Sequence, residues 1–208
     1  MAIPLRQPIS LSAAAMTDWL LAGGAGLMPT DTLPALVALP RHASQIWTLK
    51  QRPSEKPLIL MAASAEALLE LVSAEAQTAA RPFARLHWPG ALTLVLPLKG
   101  ESWAQDFHRH LNPHTCTLGL RVPACALAQD LLSCTGPLAT TSANPSGAAA
   151  AQTSDEALRY FPQLPLLGPL PWPAPEGVAS TVMEWEPSGS WRMLRQGAVI
   201  PEGVDSSP

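Results

Sequence analysis

Short apolar runs and helical stripes alternate along almost the whole chain, and that alternation restricts the fold more than any single motif does. Leu11 to Leu21 carries apolar residues at helical spacing, with Ser10 as the expected N-cap and Gly23, Gly24 and Gly26 as the stop. A short strand is expected next, running into the polar ledge Pro29-Thr30-Asp31-Thr32 before a second apolar run from Leu33 to Leu39. Ala43, Ile46, Trp47 and Leu49 form a helical stripe, so Lys50, Gln51 and Arg52 emerge at its C-terminal end and Pro53 stops it. Pro57 to Met61 reads as a buried strand, Ala65 to Val72 and Glu75 to His87 as helices, and Leu92 to Leu96 as a strand after the Trp88-Pro89-Gly90 turn. Strands are expected over Thr117 to Val122, Leu138 to Thr141, Pro165 to Leu167, Ser180 to Trp185 and Trp191 to Leu194. With helices over Pro123 to Leu132 and Asp155 to Tyr160, the pattern predicts an open α/β sheet of mixed direction.

A chain of 208 residues with 47% hydrophobic content can bury one substantial core, so a single domain is expected over residues 1–200, with 201–208 as a tail. Six prolines between Pro162 and Pro175 argue against a central strand or a helix there and predict a surface loop, one that could lie over a site. Apolar stretches end well short of the ~18 residues a membrane helix needs. Asp18 also interrupts the N-terminal segment that would otherwise pass for a signal, so a soluble cytoplasmic protein is expected, with no membrane partner. Cys116, Cys125 and Cys134 lack the close pairing of a zinc knuckle or redox motif and read as idle thiols. A formal net charge of -3 supplies no global basic field, so any RNA contact needs a local patch.

The chemistry-bearing residues exclude more than they name. No GxSxG elbow or HExxH helix occurs, which removes the common hydrolase and metalloprotease signatures. His108, His110 and His114 fall in a polar stretch without a strong fourth ligand, so no metal site is expected from protein side chains. Neither GxxxxGK[ST] nor GxGxxG is present, and a bound nucleotide would need scattered cations and hydroxyls to hold its phosphates. Lys50, Arg52 and Lys56, stiffened by Pro53 and Pro57, could supply the cations; a solvated helix end answering the macrodipole is the other reading. Thr140-Thr141-Ser142-Ala143-Asn144-Pro145-Ser146-Gly147 could supply the hydroxyls, or be only a turn after a strand.

Taken in order, Pro29-Thr30-Asp31-Thr32, Leu49-Lys50-Gln51-Arg52-Pro53, Trp88-Pro89-Gly90 with Thr93, and Thr141-Ser142-Ala143-Asn144-Pro145-Ser146-Gly147 resemble the YrdC/TsaC family of threonylcarbamoyl-AMP synthases. The likeness continues through Thr117-Leu118-Gly119-Leu120-Arg121-Val122-Pro123, Ser180-Thr181-Val182 and Leu194-Arg195-Gln196-Gly197, covering about Gly24 to Val199. It implies a twisted open mixed sheet with flanking helices and a large concave cavity. Lys50 and Arg52 would then be the catalytic cations, and Arg52, Lys56, Thr117, Ser142, Asn144, Arg195 and the backbone near Ala150 would meet ATP. Thr32, Arg121, Thr140 and Ser180 would hold threonine. Leu33-Pro34-Ala35-Leu36 and Met61 depart from the family pattern, where a tyrosine and, in some members, a histidine stand at Pro34 and Met61. Glu184 replaces a frequent aspartate.

The resemblance further implies synthesis of L-threonylcarbamoyladenylate from ATP with Mg2+, bicarbonate and L-threonine, with pyrophosphate released and no tightly bound cofactor. The product would supply the threonylcarbamoyl group for N6-threonylcarbamoyladenosine in tRNA, through a threonylcarbamoyl-transferase machinery, with tRNA or other double-stranded RNA meeting the concave face. The alternative is a YciO-like module that binds RNA or nucleotide without making this product.

Overall fold

The computed structural model describes residues 9–51, 53, 56–100, 107 and 109–202 of the chain. The strands are β1 (Ser10–Leu11), β2 (Ala25–Met28), β3 (Ala35–Ala38), β4 (Ile59–Met61), β5 (Leu92–Pro97), β6 (Thr117–Arg121), β7 (Leu138–Ser142), β8 (Leu166–Leu167), β9 (Thr181–Trp185) and β10 (Trp191–Arg195). They form one sheet in the order β1-β8-β2-β3-β7-β4-β6-β5-β9-β10. Its direction is mixed: β3 is antiparallel to β2 and β7, β4 is parallel to β6, and β5 is antiparallel to β6 but parallel to β9. Helices bounded by described residues include α1 (Ala13–Leu21), α2 (Ser44–Lys50), α3 (Ala65–Leu69), α4 (Ala74–His87), α5 (Ala126–Thr135) and α6 (Ser154–Tyr160).

Alternation along each strand sends successive side chains to opposite faces. Leu36, Leu60, Leu94 and Leu120 point to one face, where they pack with Ile46 of α2, Leu68 of α3 and Ala76, Ala80 and Ala84 of α4. Ala35, Val37, Met61 and Leu138 point to the other, beneath Met16 and Leu20 of α1 and Leu131 and Leu132 of α5. Helices cover this second face only over the β8 to β4 half. Over β6, β5 and β9 the same alternation turns Thr117, Gly119, Arg121, Thr93, Val95 and Glu184 outward, and no buried cluster of described residues covers them. The concavity of the molecule is this half-covered face.

Three local expectations need correction. Ser10 and Leu11 are paired in β1, and Ser12 caps α1 instead, accepting a bond from the Ala15 amide at 3.3 Å. The helix expected from Pro123 begins at Ala126 and continues to Thr135, because Cys125 still runs extended before it. The proline-rich stretch is not simply a surface loop. Leu166 and Leu167 form β8 between β1 and β2, with Leu164, Leu167 and Trp172 buried and Trp172 Nε1 donating to the Leu167 carbonyl at 2.7 Å. The prolines flank β8 rather than occupy it, so its two amides stay available for pairing. The C-terminal residues 203–208 lie outside the described residues.

Candidate active site

On the open face lies a cavity of about 320 Å3, at the ends of β3, β4, β6 and β7. Thr32, Arg121, Thr140 and Ser180 line it, as do Ser142, Asn144, Ala150 and Arg195. Eight residues from four distant parts of the chain therefore share one wall, because strand order places β6 and β7 on either side of β4.

Lys50 ends α2 and is only 1% exposed, so it is not a solvated helix end. Its Nζ donates to the Ser142 carbonyl, to Ser142 Oγ at 3.4 Å and to Asn144 Oδ1 at 3.3 Å. Gln51 turns left-handed at φ 50° to end the helix, and the Lys50 carbonyl accepts the Ser146 amide at 2.9 Å. Backbone and side chain thus both tie α2 to the hydroxyl-rich turn. Asn144 completes the tie, its Nδ2 donating to the Pro145 carbonyl at 3.1 Å and the Ala148 carbonyl at 2.7 Å, which shapes the backbone leading to Ala150.

Arg121 is held at three points. Its Nε donates to the Gly90 carbonyl at 2.9 Å, NH1 to Thr32 Oγ1 at 2.7 Å and NH2 to Asp31 Oδ1 at 2.7 Å. The first contact depends on glycine: a Cβ at Gly90 would lie 2.5 Å from the His87 carbonyl oxygen. Burial lowers the Arg121 pKa, and the Asp31 carboxylate opposes that shift. Arg195 reaches back from β10, donating through Nε and NH2 to the Ser180 carbonyl at 3.1 and 2.8 Å, and burial lowers its pKa as well. Ser180 Oγ lies 2.9 Å from Thr93 Oγ1 and accepts from Arg195 NH2 at 3.3 Å. Thr140 donates to the Ile59 carbonyl at 3.1 Å, leaving its oxygen lone pairs as acceptors.

Arg52 is outside the described residues, as is His108. Lys56 is exposed and does not line the cavity, although its neighbour Pro57 does. Thr117 shares the open face with Arg121 but sits at the other end of β6, roughly 13 Å away at strand rise. There it borders a second depression with Pro97, Glu184 and Arg192. The proline-rich stretch contributes no residue to the lining. Pro34 is buried behind the wall, while Leu33, Ala35 and Met61 face in. Sequence reasoning missed Asp31, whose partner is 90 positions away, and the lining residues Ile59 and Ala179, which look like ordinary strand and loop positions.

Lys50, Arg121 and Arg195 bring positive charge to or just behind one small cavity, with hydroxyls between them. That arrangement suits two anionic groups held close together, since each cation is fixed by neutral acceptors or one carboxylate. Among the described residues no group of three or more His, Cys, Asp or Glu is placed to hold a metal ion, and no helix is long and apolar enough to cross a membrane.

Residues 18–197 match the Sua5/YciO/YrdC domain family, whose description reads "Telomere recombination". The threonylcarbamoyl-AMP synthase of Marinobacter nauticus is 34% identical over 161 residues, covering 74% of this chain and 80% of its own. That of Idiomarina loihiensis is 37% identical over 142 residues, covering 64% of this chain and 72% of its own. The crystal structure of P. abyssi Sua5 complexed with L-threonine superposes with a TM-score of 0.79 at 26% identity, covering 91% of this chain and 57% of that longer one. With a domain match over most of its length, relatives above 30% identity and the same mixed sheet, the chain belongs to the Sua5/YciO/YrdC family.

Proposed function

We propose that this chain is a nucleotidyltransferase that makes L-threonylcarbamoyl-AMP from ATP, as its Mg2+ complex, bicarbonate and L-threonine. The observation that carries the reading is the convergence of Arg121, Arg195, Ser142 and Asn144, backed by Lys50, on one cavity. Threonine's amine adds to the carbon of carbon dioxide with loss of a proton, or to that of bicarbonate with loss of water, to give a carbamate. A carbamate oxygen then forms a bond to the α-phosphorus of ATP as the bond to the β-phosphate bridging oxygen breaks, and pyrophosphate leaves. No protein nucleophile is consumed, so the work falls to groups that bring two anions together and neutralise charge as it builds on phosphorus.

Arg121 receives the threonine carboxylate, with Thr32, Thr140 and Ser180 around it. Lys50 and Arg52 offset the carbamate and phosphate charge. Ser142, Asn144, Arg195 and the Ala150 backbone meet the nucleotide, and in this reading Lys56 and Thr117, outside the cavity lining, contact the rest of ATP. The product passes in the cytoplasm to a threonylcarbamoyl transferase acting on tRNA, which is met on the concave face. The names of the Marinobacter nauticus and Idiomarina loihiensis relatives support the reaction, and the threonine-bound P. abyssi Sua5 supports the amino acid.

Mixing the protein with ATP, bicarbonate and threonine should release pyrophosphate and yield a product of the expected mass by mass spectrometry. Omitting either threonine or bicarbonate should abolish both signals. Equal pyrophosphate release without threonine would reject the reading.

A further inference from the structure

The cavity wall is supported from behind by a carboxylate that does not line it. Asp31 sits in the middle of the polar ledge, its side chain 12% exposed, and Oδ1 accepts both Arg121 NH2 at 2.7 Å and the Ala124 amide at 3.0 Å. Its own carbonyl accepts the Glu176 amide at 2.8 Å, and the neighbouring Thr32 carbonyl accepts the Gly177 amide at 3.1 Å. The Ala124 amide at its side chain and the Glu176 amide at its main chain therefore both hold Asp31. A carboxylate anchored in this way cannot follow the arginine, so the arginine follows it.

The geometry points to Asp31 as a positioning residue for the amino-acid substrate: it fixes the plane of the Arg121 guanidinium so that unused N–H donors face the cavity. This rests on the reading that Arg121 receives the threonine carboxylate. The bond from Nε to Gly90 alone leaves the guanidinium able to swing about that contact, and the second point, at NH2, sets the plane. NH1 then meets Thr32 Oγ1, which does line the cavity. Three of the five guanidinium N–H donors are used in this way, leaving one on NH1 and one on NH2. The carboxylate also offsets the cost of burying Arg121 near Arg195. Because Asp31 approaches from outside the cavity, it holds the arginine without taking the place of the substrate's carboxylate.

The test compares Asp31→Ala and Asp31→Asn with the unaltered chain, reading threonine-dependent pyrophosphate release and thermal unfolding. Misplacing a binding group by a fraction of its reach costs roughly ten- to a hundredfold. Asp31→Ala should therefore raise the KM for L-threonine at least tenfold while the KM for ATP moves less than twofold. Asp31→Asn, which keeps an acceptor of the same size, should fall between. In an Arg121→Lys background the same Asp31→Ala change should add less than twofold, since its target is already gone.

Equal rises in both KM values, an unchanged threonine KM, or full additivity with Arg121→Lys would overturn the proposal and leave Asp31 a structural tie. A lowered threonine KM would also overturn it, by making Asp31 a competitor for the arginine. Should Asp31→Ala fail to fold, calorimetric titration of L-threonine into Asp31→Asn decides the same question. A wild-type chain with no threonine-dependent release would sink the proposed function itself, whereas an active wild type with unaffected variants would sink only this inference.

Discussion

Lys50 is among the largest fully buried side chains of the described residues, which changes what its removal tests. Truncation to alanine would open a void as well as delete the charge, with a stability cost of about 2 kcal/mol or more. Lys50→Met keeps the stem. It leaves Ser142 O and Asn144 Oδ1 short of a donor, at about 1–3 kcal/mol of stability, but should cut pyrophosphate release about a hundredfold. Parallel thermal unfolding and turnover assays separate the two effects; near-wild-type turnover would mean that the ammonium only braces the turn. Pro34 carries the opposite expectation. Because it is buried behind the wall and its carbonyl accepts the Ala143 amide at 2.9 Å, Pro34→Tyr should destabilise by about 1–3 kcal/mol through overpacking. The threonine KM should move less than twofold, and a clear fall in it would show that a ring at this position reaches the substrate.

Among the elements, β6 links the site to the rest of the open face. Gly119 lies midway between Thr117 and Arg121, and a Cβ there would sit 3.4 Å from both Ile59 Cγ1 and Thr93 Cγ2. Such a Cβ fits, but further methyl groups would rise from the floor. Gly119→Val should therefore fold, since a β-branched residue suits a strand, yet lose roughly 10–200-fold in kcat/KM, the usual effect of an unwanted methylene in a pocket. Steady-state kinetics with ATP varied would check this, and unchanged values would mean that the nucleotide does not pass over Gly119. Elements with a strong period could be read from residues alone: the α4 stripe and the Leu92 to Leu96 strand need no partner to be recognised. β8 was expected within Pro165 to Leu167, but β1 could not be read, because two residues have no period and it exists only through its register with β8. The Arg121–Asp31 pair was hidden for a similar reason, as nothing near either residue announces a contact across the fold.

For the molecule as a whole, the half-covered sheet predicts strong linkage between ligand and stability. At a hundredfold excess over Kd, a ligand that binds only the folded state adds about 2.7 kcal/mol. In a chain of this size that is roughly a 5–10 °C rise in unfolding midpoint. ATP with Mg2+ should produce such a shift, and no response to ATP or threonine would argue that the cavity binds neither. The mixed sheet and most of its strands were legible from apolar runs and turns, whereas its unequal covering was not. That depends on which strands α1 and α5 lie against, a choice made by contacts between them and not by either sequence alone. The parallel pairing of β1 with β8 carries a further consequence, for synthesis. Ser10 and Leu11 leave the ribosome early, but their partners Leu166 and Leu167 follow 156 positions later. At ~5–20 residues per second that is a wait of about 8–30 s. During that interval the margin of the nascent sheet at β2 stays unsealed, and a message cut short before codon 166 would lose β8, β9 and β10 outright and leave β1 with no partner strand.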